Sequence, residues 1–383
     1  MILIRGHKFV KSGDLLYNMG SSSNKYYDYL TKATGPISIL SWIDEDISKY
    51  DLSKLEVFDK SLPITIIQHP NTGVLKKSEI IFNTIKKGDS FSFKLPLPYS
   101  IIGCFFAILL RKPFVIESGG DFKKSLWYHG GLSYKVVAYP LDLIVKIEHR
   151  FAKHIIYVSK NYLQKIYPSK ARQIGCSDAI INKGAEEILE KRINRINNHK
   201  GSFILGLIGA THAEYRGHDT LIKAAANLIR KGYDVKVKFL GGGKADGKRI
   251  IVAKKEGIED RVEFCGRLPH DQVLNWIDDI DILVMPTLVE SLGRAVIEAM
   301  SRGCPVIGTY ETALGEQIGS DCLVHARNEK EIVSVVERII KYKDYASYCA
   351  YENFYRSMKY DCELTYSFRK DFYDEFYKIE GLK

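Results

Sequence analysis

The stretch formed by residues 281–309, DILVMPTLVESLGRAVIEAMSRGCPVIGT, constrains the fold more than any other part of the chain. Residues 282–285 form a short apolar run that is typical of a buried strand, and residues 306–308 predict a second strand. Between them, apolar residues recur at the spacing of one helix face, starting at Leu292. The helix boundaries are signalled by a capping residue, a left-handed C-terminal glycine and a proline, which are Ser291, Gly303 and Pro305. This order of strand, helix and strand predicts an α/β fold.

Two carboxylates, Glu290 and Glu298, accompany the predicted helix. If both lay on a helix that rises 1.5 Å per residue, they would be roughly 12 Å apart along its axis. The helix N-terminus between them offers unpaired N–H groups and a positive dipole, which suit a diphosphate. Because carboxylates accept hydrogen bonds from neighbouring hydroxyls, the pair suits a nucleotide sugar, with Glu298 on the ribose and Glu290 on the sugar. The alternative is that Glu290 is an ordinary helix N-terminal carboxylate and that Glu298 lies on a solvated face.

The surroundings of these glutamates carry a family resemblance. The same stretch contains a proline, an EAM triplet, a glycine and a PVI triplet, at positions 286, 298–300, 303 and 305–307. This pattern resembles the signature of retaining glycosyltransferases of the GT-B fold, family 4, and the resemblance extends over about residues 201–341. It implies two Rossmann-like α/β domains that face each other across a cleft, with the donor held mainly by the second domain and the acceptor by the first. It also implies sugar transfer without a metal or another cofactor.

Length and composition agree with two domains. With 383 residues, of which 45% are hydrophobic, the chain exceeds the size of one ordinary core. The polar segment 177–200 is the predicted linker between the domains. We therefore predict an N-terminal acceptor-side domain over residues 1–195 and a C-terminal donor-binding domain over residues 200–345. By the resemblance, part of the tail, about residues 350–383, packs back on the first domain.

The net charge of +10 admits three kinds of partner, which are nucleic acid, an anionic membrane surface or a phosphorylated substrate. No nucleic-acid-binding motif accompanies the charge, so the sequence predicts no nucleic-acid partner. Basic residues are densest over residues 146–165. This density indicates either a solvated helix face or a surface that rests on acidic lipid headgroups.

Cysteine usage and the N-terminus indicate the compartment. The seven cysteines are scattered and form no CxxC motif, which favours reduced thiols, and the N-terminus has no signal-peptide pattern. The longest apolar segment, residues 101–110, is about half of a membrane span. We therefore expect a cytoplasmic protein, with or without a peripheral position on the inner face of the cell membrane.

Short apolar runs alternate with helical patterns in the first half of the chain, as in an α/β domain. Gly13 stands roughly where relatives have a glycine loop near the donor phosphates, so the resemblance makes it a donor-binding candidate. Further on, a predicted strand ends near Glu117 and is followed by two glycines and Asp121. Ligands collect beyond the carboxyl ends of strands in open α/β sheets.

At this place many relatives carry a histidine, whereas this chain has Glu117 and Asp121, with His129 further on. The pattern looks like a surface-polysaccharide subgroup, whose other matching positions here are Tyr157, Val158, Ser159, Leu163, Gln164, Tyr167 and Pro168. We predict that Asp121 contacts the sugar or the acceptor, and the alternative is a turn-forming aspartate after two glycines. His129 and Glu117 are further candidates on the acceptor or sugar side, although a histidine beside two aromatic residues is often a packed or capping residue.

In the second domain, a predicted strand ends at Gly209. Relatives follow it with an arginine and then a lysine before a later glycine, and both bind the diphosphate. Here Ala210 or Thr211 takes the first place and Arg216 the second, where it can bridge two phosphate oxygens. Two arginines, Arg294 and Arg267, are predicted to bind the donor in place of the missing cation, although each could instead form an ordinary salt bridge. The remaining predicted donor-binding residues stand at the helix start and are Ser291, Leu292 and Gly293.

Two further patterns have alternative interpretations. The glycines at 241–243 indicate either a tight turn or a close approach of the backbone to the nucleotide, and they do not complete a GxGxxG motif. Asp278, Asp279 and Asp281 look like the metal-binding DxD of the other glycosyltransferase fold. Because they lead directly into a predicted buried strand, we expect no metal site there.

The sequence therefore predicts a retaining glycosyltransferase that moves a sugar from a nucleoside-diphosphate sugar to a glycan acceptor. By the resemblance, the acceptor is lipid-linked and the product is a bacterial surface polysaccharide such as capsule, O-antigen or exopolysaccharide. Glu290, Arg216 and Asp121 are the predicted catalytic residues. Two alternatives remain open, which are a catalytically inactive nucleotide-sugar-binding subunit and a GT-B nucleotide-sugar epimerase.

Overall fold

The computed structural model describes residues 1–19, 24–52, 55–69, 72–129, 131–179, 181–243 and 246–382, without the side chains of His129, His270 and Asp271. It divides into two compact units. The first unit contains Met1–Lys123, Val137–Asp178 and Glu363–Lys383, and the second contains Lys124–Val136 and Ala179–Cys362. Each unit has a sheet of its own.

The strands of the first unit are β1 (Ile2–Ser12), β2 (Leu15–Asn18), β3 (Ile37–Asp44), β4 (Glu56–Val57), β5 (Ile64–Gln68), β6 (Phe91–Leu95), β7 (Phe114–Ser118), β8 (His154–Tyr157) and β9 (Arg172–Gly175). Within the described residues, seven of these strands pair in parallel, in the order β5-β3-β1-β6-β7-β8-β9. Strands β7 and β8 are buried along their whole length, as expected for parallel strands covered on both faces.

Strand β1 is 11 residues long and ends directly before Gly13. The strand turns at Gly13, where φ is +56°, and returns as β2, which pairs antiparallel with β1 and with β4. Gly13 therefore lies at the tip of a β-hairpin and not in a strand-to-helix loop. Its contact with the donor phosphates stays a prediction.

The helices connected to this sheet are α1 (Asn24–Thr34), α2 (Val74–Lys87), α3 (Pro98–Leu109), α4 (Phe122–His129), α5 (Leu132–Phe151), α6 (Tyr162–Ile166) and the C-terminal α15 (Cys362–Ile379). Helices α3 and α5 are the crossover connections from β6 to β7 and from β7 to β8. Within the described ranges, none of the helices combines the length and the hydropathy that crossing a membrane requires.

The second unit contains the strands β10 (Phe203–Ile208), β11 (Val235–Leu240), β12 (Val262–Phe264), β13 (Ile282–Val284), β14 (Val306–Thr309) and β15 (Leu323–Val324). In the described residues they form one parallel sheet in the order β12-β11-β10-β13-β14-β15. The α/β fold class expected from the sequence is thus confirmed.

The helices of the second unit are α7 (Glu186–Asn197), α8 (His218–Arg230), α9 (Asp246–Glu256), α10 (His270–Asp279), α11 (Arg294–Ser301), α12 (Leu314–Gln317), α13 (Glu329–Lys341) and α14 (Lys343–Ser357). Short 3₁₀ helices lie at Ile47–Lys49, Glu214–Arg216, Glu259–Arg261, Ser320–Cys322 and Met358–Tyr360. The apolar side chains of the sheet and its helices form a continuous core in this unit.

Half of the predicted linker is a helix of the second unit. Helix α7 lies inside the polar segment 177–200, and its buried Arg192 donates hydrogen bonds to the carbonyl oxygens of Ile280 at 2.6 Å and Ile277 at 2.8 Å. These carbonyls belong to the end of α10 and the residue after it. The polar composition therefore marks an amphipathic helix docked by a buried arginine, and the second unit begins before residue 200.

Candidate active site

The candidate site lies at the carboxyl edge of the second unit's sheet. Strand β10 pairs with β11 on one side and with β13 on the other, so the strand order reverses between β10 and β13. Ligands of open α/β sheets bind at such a reversal, beyond the carboxyl ends of the strands. The loop that follows β10 carries Gly209 and Arg216, and the loop that follows β13 carries Glu290.

Arg216 and Glu290 form an ion pair across this reversal. The guanidinium Nη1 of Arg216 donates to the carboxylate Oε2 of Glu290 at 2.6 Å, and both side chains remain partly exposed. Burial disfavours the charge on Arg216, but the neighbouring Glu290 outweighs burial and raises the pKa of Arg216. The structure thus brings together two predicted catalytic residues that are 74 positions apart in the sequence.

The loops after β10 and β13 are interlocked at Gly217. This glycine has φ +84°, and a Cβ added to it would lie 2.5 Å from the carbonyl oxygen of Pro286. Next to it, the backbone N–H of Leu288 donates to the carbonyl of Tyr215 at 2.8 Å. The position of Arg216 is therefore fixed by backbone contacts between the two loops, because only a residue without a side chain fits at 217.

The helix after Glu290 starts later than the sequence predicts. Helix α11 begins at Arg294, and the residue before it, Gly293, has a left-handed backbone with φ +64° and ψ +53°. Ser291 therefore does not cap the helix, and Leu292 is buried in the loop before it. The estimate of roughly 12 Å between the glutamates fails, because it assumes that both lie on one helix.

Glu298 is the fifth residue of α11 and is partly buried, whereas Arg294 is the exposed first residue of this helix. The C-terminal boundary is as predicted, since Gly303 is left-handed with φ +60° and β14 begins at Val306. The backbone N–H groups at the start of α11 follow Glu290 directly. The carboxylate that lies beside the helix N-terminus is therefore that of Glu290 in the loop, and not that of Glu298 inside the helix.

The glycines at 241–243 allow close contacts between the loops after β10 and β11. A Cβ on Gly241 would collide with the carbonyl oxygen of Gly209, and one on Gly242 would lie 2.7 Å from Nε of Arg267. Arg267 itself is exposed. The turn is therefore tight, and it places Gly209 and Arg267 at the same edge of the sheet as Arg216.

Two buried polar residues lie in this region, of which the sequence interpretation missed His218. The hydroxyl of Thr211 is buried, and within the described residues it has no hydrogen-bond partner. His218, the first residue of α8, lies beside Phe239 with 5.0 Å between the ring centroids, and burial lowers the pKa of His218 to about 4. It is therefore neutral at physiological pH. Nothing in the sequence distinguishes His218 from an ordinary residue at a helix start.

The comparisons with known proteins agree with this geometry. Residues 202–342, which carry the whole candidate site described above, match the family model for glycosyl transferases group 1. Together with the solved structures below, this match supports a group 1 glycosyltransferase with the GT-B fold. The chain is 28% identical to Protein CapJ of Staphylococcus aureus over 276 residues, which cover 72% of this chain and 68% of CapJ.

Solved structures show the likeness of fold over nearly the whole glycosyltransferase. HepE of Anabaena, solved in complex with UDP and glucose, has a TM-score of 0.65 at 16% identity and covers 96% of this chain and 97% of its own. The sucrose-phosphate synthase of Thermosynechococcus elongatus has a TM-score of 0.67 at 15% identity and covers 93% of this chain and 92% of its own. At these identities the likeness supports the fold alone.

In the first unit of the glycosyltransferase, Asp121 follows β7 and is buried. The hydroxyl of Tyr162 donates to its Oδ2 at 3.3 Å. The next residue, Phe122, donates its backbone N–H to the hydroxyl of Tyr167 at 2.8 Å, and that hydroxyl donates to Asp142 of α5 at 3.0 Å. The start of α4 is thus held by a buried network that reaches α5.

Glu117 has a different environment from the one predicted. It is fully buried and pairs with Arg5 at 2.6 Å and with Arg369 of α15 at 3.3 Å, and the hydroxyl of Tyr373 donates to it at 3.0 Å. The two arginines hold the pKa of Glu117 at about 2, against the effect of burial. Glu117 therefore joins α15 to the sheet and is not placed to contact an acceptor. His129 ends α4, and its side chain lies outside the described residues.

The aspartates that resemble a DxD motif are held by ion pairs. Asp281 accepts from Arg195 at 2.9 Å and from the backbone N–H of Ile204 at 2.8 Å, and Asp278 pairs with Arg302. In the part of the chain that the structure describes, His, Cys, Asp and Glu residues form no group of three suited to hold a metal ion. These aspartates connect α7 and α10 to the core.

Proposed function

We propose that this glycosyltransferase moves a sugar from a nucleoside-diphosphate sugar to a hydroxyl of a glycan acceptor, with retention of the anomeric configuration. The observation that carries the proposal is the ion pair between Arg216 and Glu290 at the carboxyl edge of the second sheet. It joins a cation and a carboxylate where the strand order reverses. A phosphate ester linked to a polyol is a ligand that needs both groups.

Binding of the donor would separate this pair. The guanidinium of Arg216 can donate two parallel hydrogen bonds to phosphate oxygens, and the freed carboxylate of Glu290 can accept hydrogen bonds from two sugar hydroxyls. Both side chains are partly exposed, so a ligand can reach them. Glu298, one turn inside α11, is proposed to accept hydrogen bonds from the ribose.

The departing diphosphate acquires negative charge during transfer, and groups aimed at that charge lower the barrier. Arg216, Arg267 and Arg294 are the proposed cations, and the N–H groups at the start of α11 add a positive dipole. We propose that these groups supply the stabilisation without a metal ion. HepE was solved with UDP and with UDP-glucose, which supports a uridine nucleotide as the first donor to test.

The first unit is proposed to hold the acceptor near Asp121. Of the positions that resemble the surface-polysaccharide subgroup, Leu163 lies on α6 and Tyr167 directly after it. Tyr167 belongs to the hydrogen-bond network that holds the start of α4 beside Asp121. From the subgroup resemblance, we propose that the acceptor is a lipid-linked glycan of bacterial surface polysaccharide synthesis, used at the inner face of the cell membrane.

Two single substitutions test the donor site. Arg216→Ala and Glu290→Ala should each lower transfer by at least ~100-fold, because each removes a group that acts on the transition state. Arg216→Lys keeps the charge and loses the forked geometry, so its loss should be smaller. The donor is first identified by thermal shift with UDP, GDP, TDP, ADP and their sugar conjugates, and transfer is then measured on lipid-linked acceptors.

The matched control is Arg230→Ala. Arg230 is another arginine of the second unit, and it forms an ion pair with Glu256 at 3.4 Å. This pair lies at the far end of α8, so transfer should not change. Full activity of Arg216→Ala or Glu290→Ala would refute the site. Tight nucleotide binding without turnover on any acceptor would favour an inactive binding subunit, and a changed donor sugar without an acceptor would favour an epimerase.

A further inference from the structure

The second part of helix α5 exposes large apolar side chains, while several of its polar residues are buried. Along residues 137–151 of the first unit, the buried positions include Asp142, Glu148 and His149. Six of the exposed positions carry large apolar side chains. They are Val137, Tyr139, Leu143, Ile144, Ile147 and Phe151.

The exposed apolar residues form a stripe. Leu143, Ile147 and Phe151 recur at every fourth position, so they lie along one line of the helix surface. Leu143 is 58% exposed and Phe151 is 63% exposed, which is far from the burial that such side chains usually reach. A contiguous exposed apolar surface of this kind marks an interaction site with another protein or with a membrane.

Helix α3 also exposes large apolar side chains. Strands β6, β7 and β8 are parallel neighbours, so α3 and α5, which connect them in turn, lie side by side on one face of the sheet. On its outer side α3 exposes Phe105 and Leu109, at 55% and 62%.

The exposed charges on and directly after this part of α5 are all basic. Both acidic residues within residues 137–151, Asp142 and Glu148, are buried. The exposed charged residues are Lys146, Arg150 and Lys153 on and directly after the helix. Lys146 pairs with Asp142 at 2.8 Å and Lys153 with Glu380 at 3.7 Å, yet the two lysine side chains keep 45% and 78% of their exposure. The rim of the stripe is therefore basic.

We propose that this face of α3 and α5, defined by Phe105, Leu109, Leu143, Ile147, Phe151 and Arg150, docks on the surface of an anionic phospholipid bilayer. An apolar stripe with a basic rim lies in the plane of a membrane interface, with its apolar side chains between the acyl chains and its cations among the headgroups. The net charge of +10 adds long-range attraction to the same surface.

This inference rests on the proposed function, since it gives a place to the lipid-linked acceptor. Helix α5 is joined to the candidate acceptor side, because its Asp142 accepts from Tyr167, which in turn accepts from Phe122 next to Asp121. If a bilayer lies against α5, the lipid anchor of the acceptor would be close to α5, which supports the start of α4. The docking face and the acceptor side form one structural unit.

The test is flotation of the full chain with lipid vesicles, without donor or acceptor. The protein should float with vesicles of phosphatidylcholine and phosphatidylglycerol and much less with phosphatidylcholine alone. Leu143→Asp combined with Ile147→Asp should lower binding at least ~10-fold, because two apolar side chains leave the interface. Arg150→Gln combined with Lys153→Gln should lower binding to the anionic vesicles by about the same factor.

The matched control is Ile251→Asp on α9, which changes an even more exposed isoleucine of the second unit and should leave flotation unchanged. All variants are exposed positions, so their unfolding midpoints should match the parent. Failure of the parent to float with anionic vesicles would overturn the proposal, as would unchanged flotation of the aspartate pair. If the parent protein is a dimer without lipid and the double aspartate variant is a monomer, the face binds a second copy of the chain instead of a membrane. None of these results depends on sugar transfer.

Discussion

Glu148 shows how a single buried residue can make the stability of this protein depend on pH. It lies on the inner side of α5, and neither carboxyl oxygen has a hydrogen-bond partner among the described residues. Burial raises its pKa to about 9, so the carboxyl is protonated at neutral pH. The folded state therefore binds a proton that the unfolded state has already released.

We predict that the free energy of unfolding falls as the pH rises from about 5 to about 9. The stabilisation is complete below the ordinary carboxyl pKa and is lost as the pH passes the raised one, with a slope of up to ~1.4 kcal/mol per pH unit. Urea denaturation across this range measures it. Glu148→Gln, which cannot ionise, should lack this part of the slope, whereas Glu187→Gln at an exposed site should keep it. Equal slopes in the parent and Glu148→Gln would contradict the prediction.

Residue-level predictions from sequence succeeded only in part. The motif around Glu290 and Glu298 led to a cluster in which Glu290 meets Arg216, although the pairing itself could not be foreseen across 74 positions. Glu117 was misplaced because its partners, Arg5 and Arg369, come from the two ends of the chain. A carboxylate before two glycines has the same local pattern whether it is buried by such partners or open to a ligand.

At the scale of elements, the donor site depends on how two loops fit together. Gly217 ends the loop after β10, and its contact with the Pro286 carbonyl fixes that loop against the one after β13. A side chain at 217 would have to push the loops apart. Since Arg216 is the preceding residue and Glu290 follows Pro286 in the other loop, the pair would be displaced as well.

We predict that Gly217→Ala lowers nucleotide affinity and transfer by at least ~10-fold, since a shift of about 1 Å in a positioned group has effects of this size or larger. Calorimetric titration with the donor nucleotide measures the affinity. The matched control is Gly201→Ala, because Gly201 has the same φ of +84° with no atom within 4 Å of an added Cβ. Both variants carry the backbone strain of a left-handed residue, of ~1–2 kcal/mol. Equal affinities in the two variants would rule out the interlocked loops as the cause.

Element boundaries were predictable where local signals decide them. Gly303 and Pro305 end α11 and open β14 as expected, because a left-handed glycine and a proline act on the backbone directly. The start of α11 was not predictable, because Gly293 takes a left-handed conformation beside Leu314 and Gln317, which come from a later helix. Helix α7 was mistaken for a linker since its polar composition hides a buried Arg192.

At the scale of the whole molecule, the alternation of strands and helices was enough to predict the α/β class, and the motif was enough to predict GT-B. The long β1 and its hairpin were not foreseen, because β1 pairs with β2, β3 and β6 through different parts of its length. The C-terminal α15 belongs to the first unit, where Arg369 and Tyr373 surround Glu117. No local pattern in the sequence announces that contact.

The most direct test of the donor site is a crystal structure of the protein with the nucleoside diphosphate that gives the largest thermal shift. We predict that the phosphate oxygens lie about 3 Å from the guanidinium of Arg216 and from the N–H groups at the start of α11. The ion pair of Arg216 and Glu290 should be open, and Glu298 should contact the ribose. Phosphates bound elsewhere, with that ion pair intact and Glu298 away from the ribose, would contradict the proposed site.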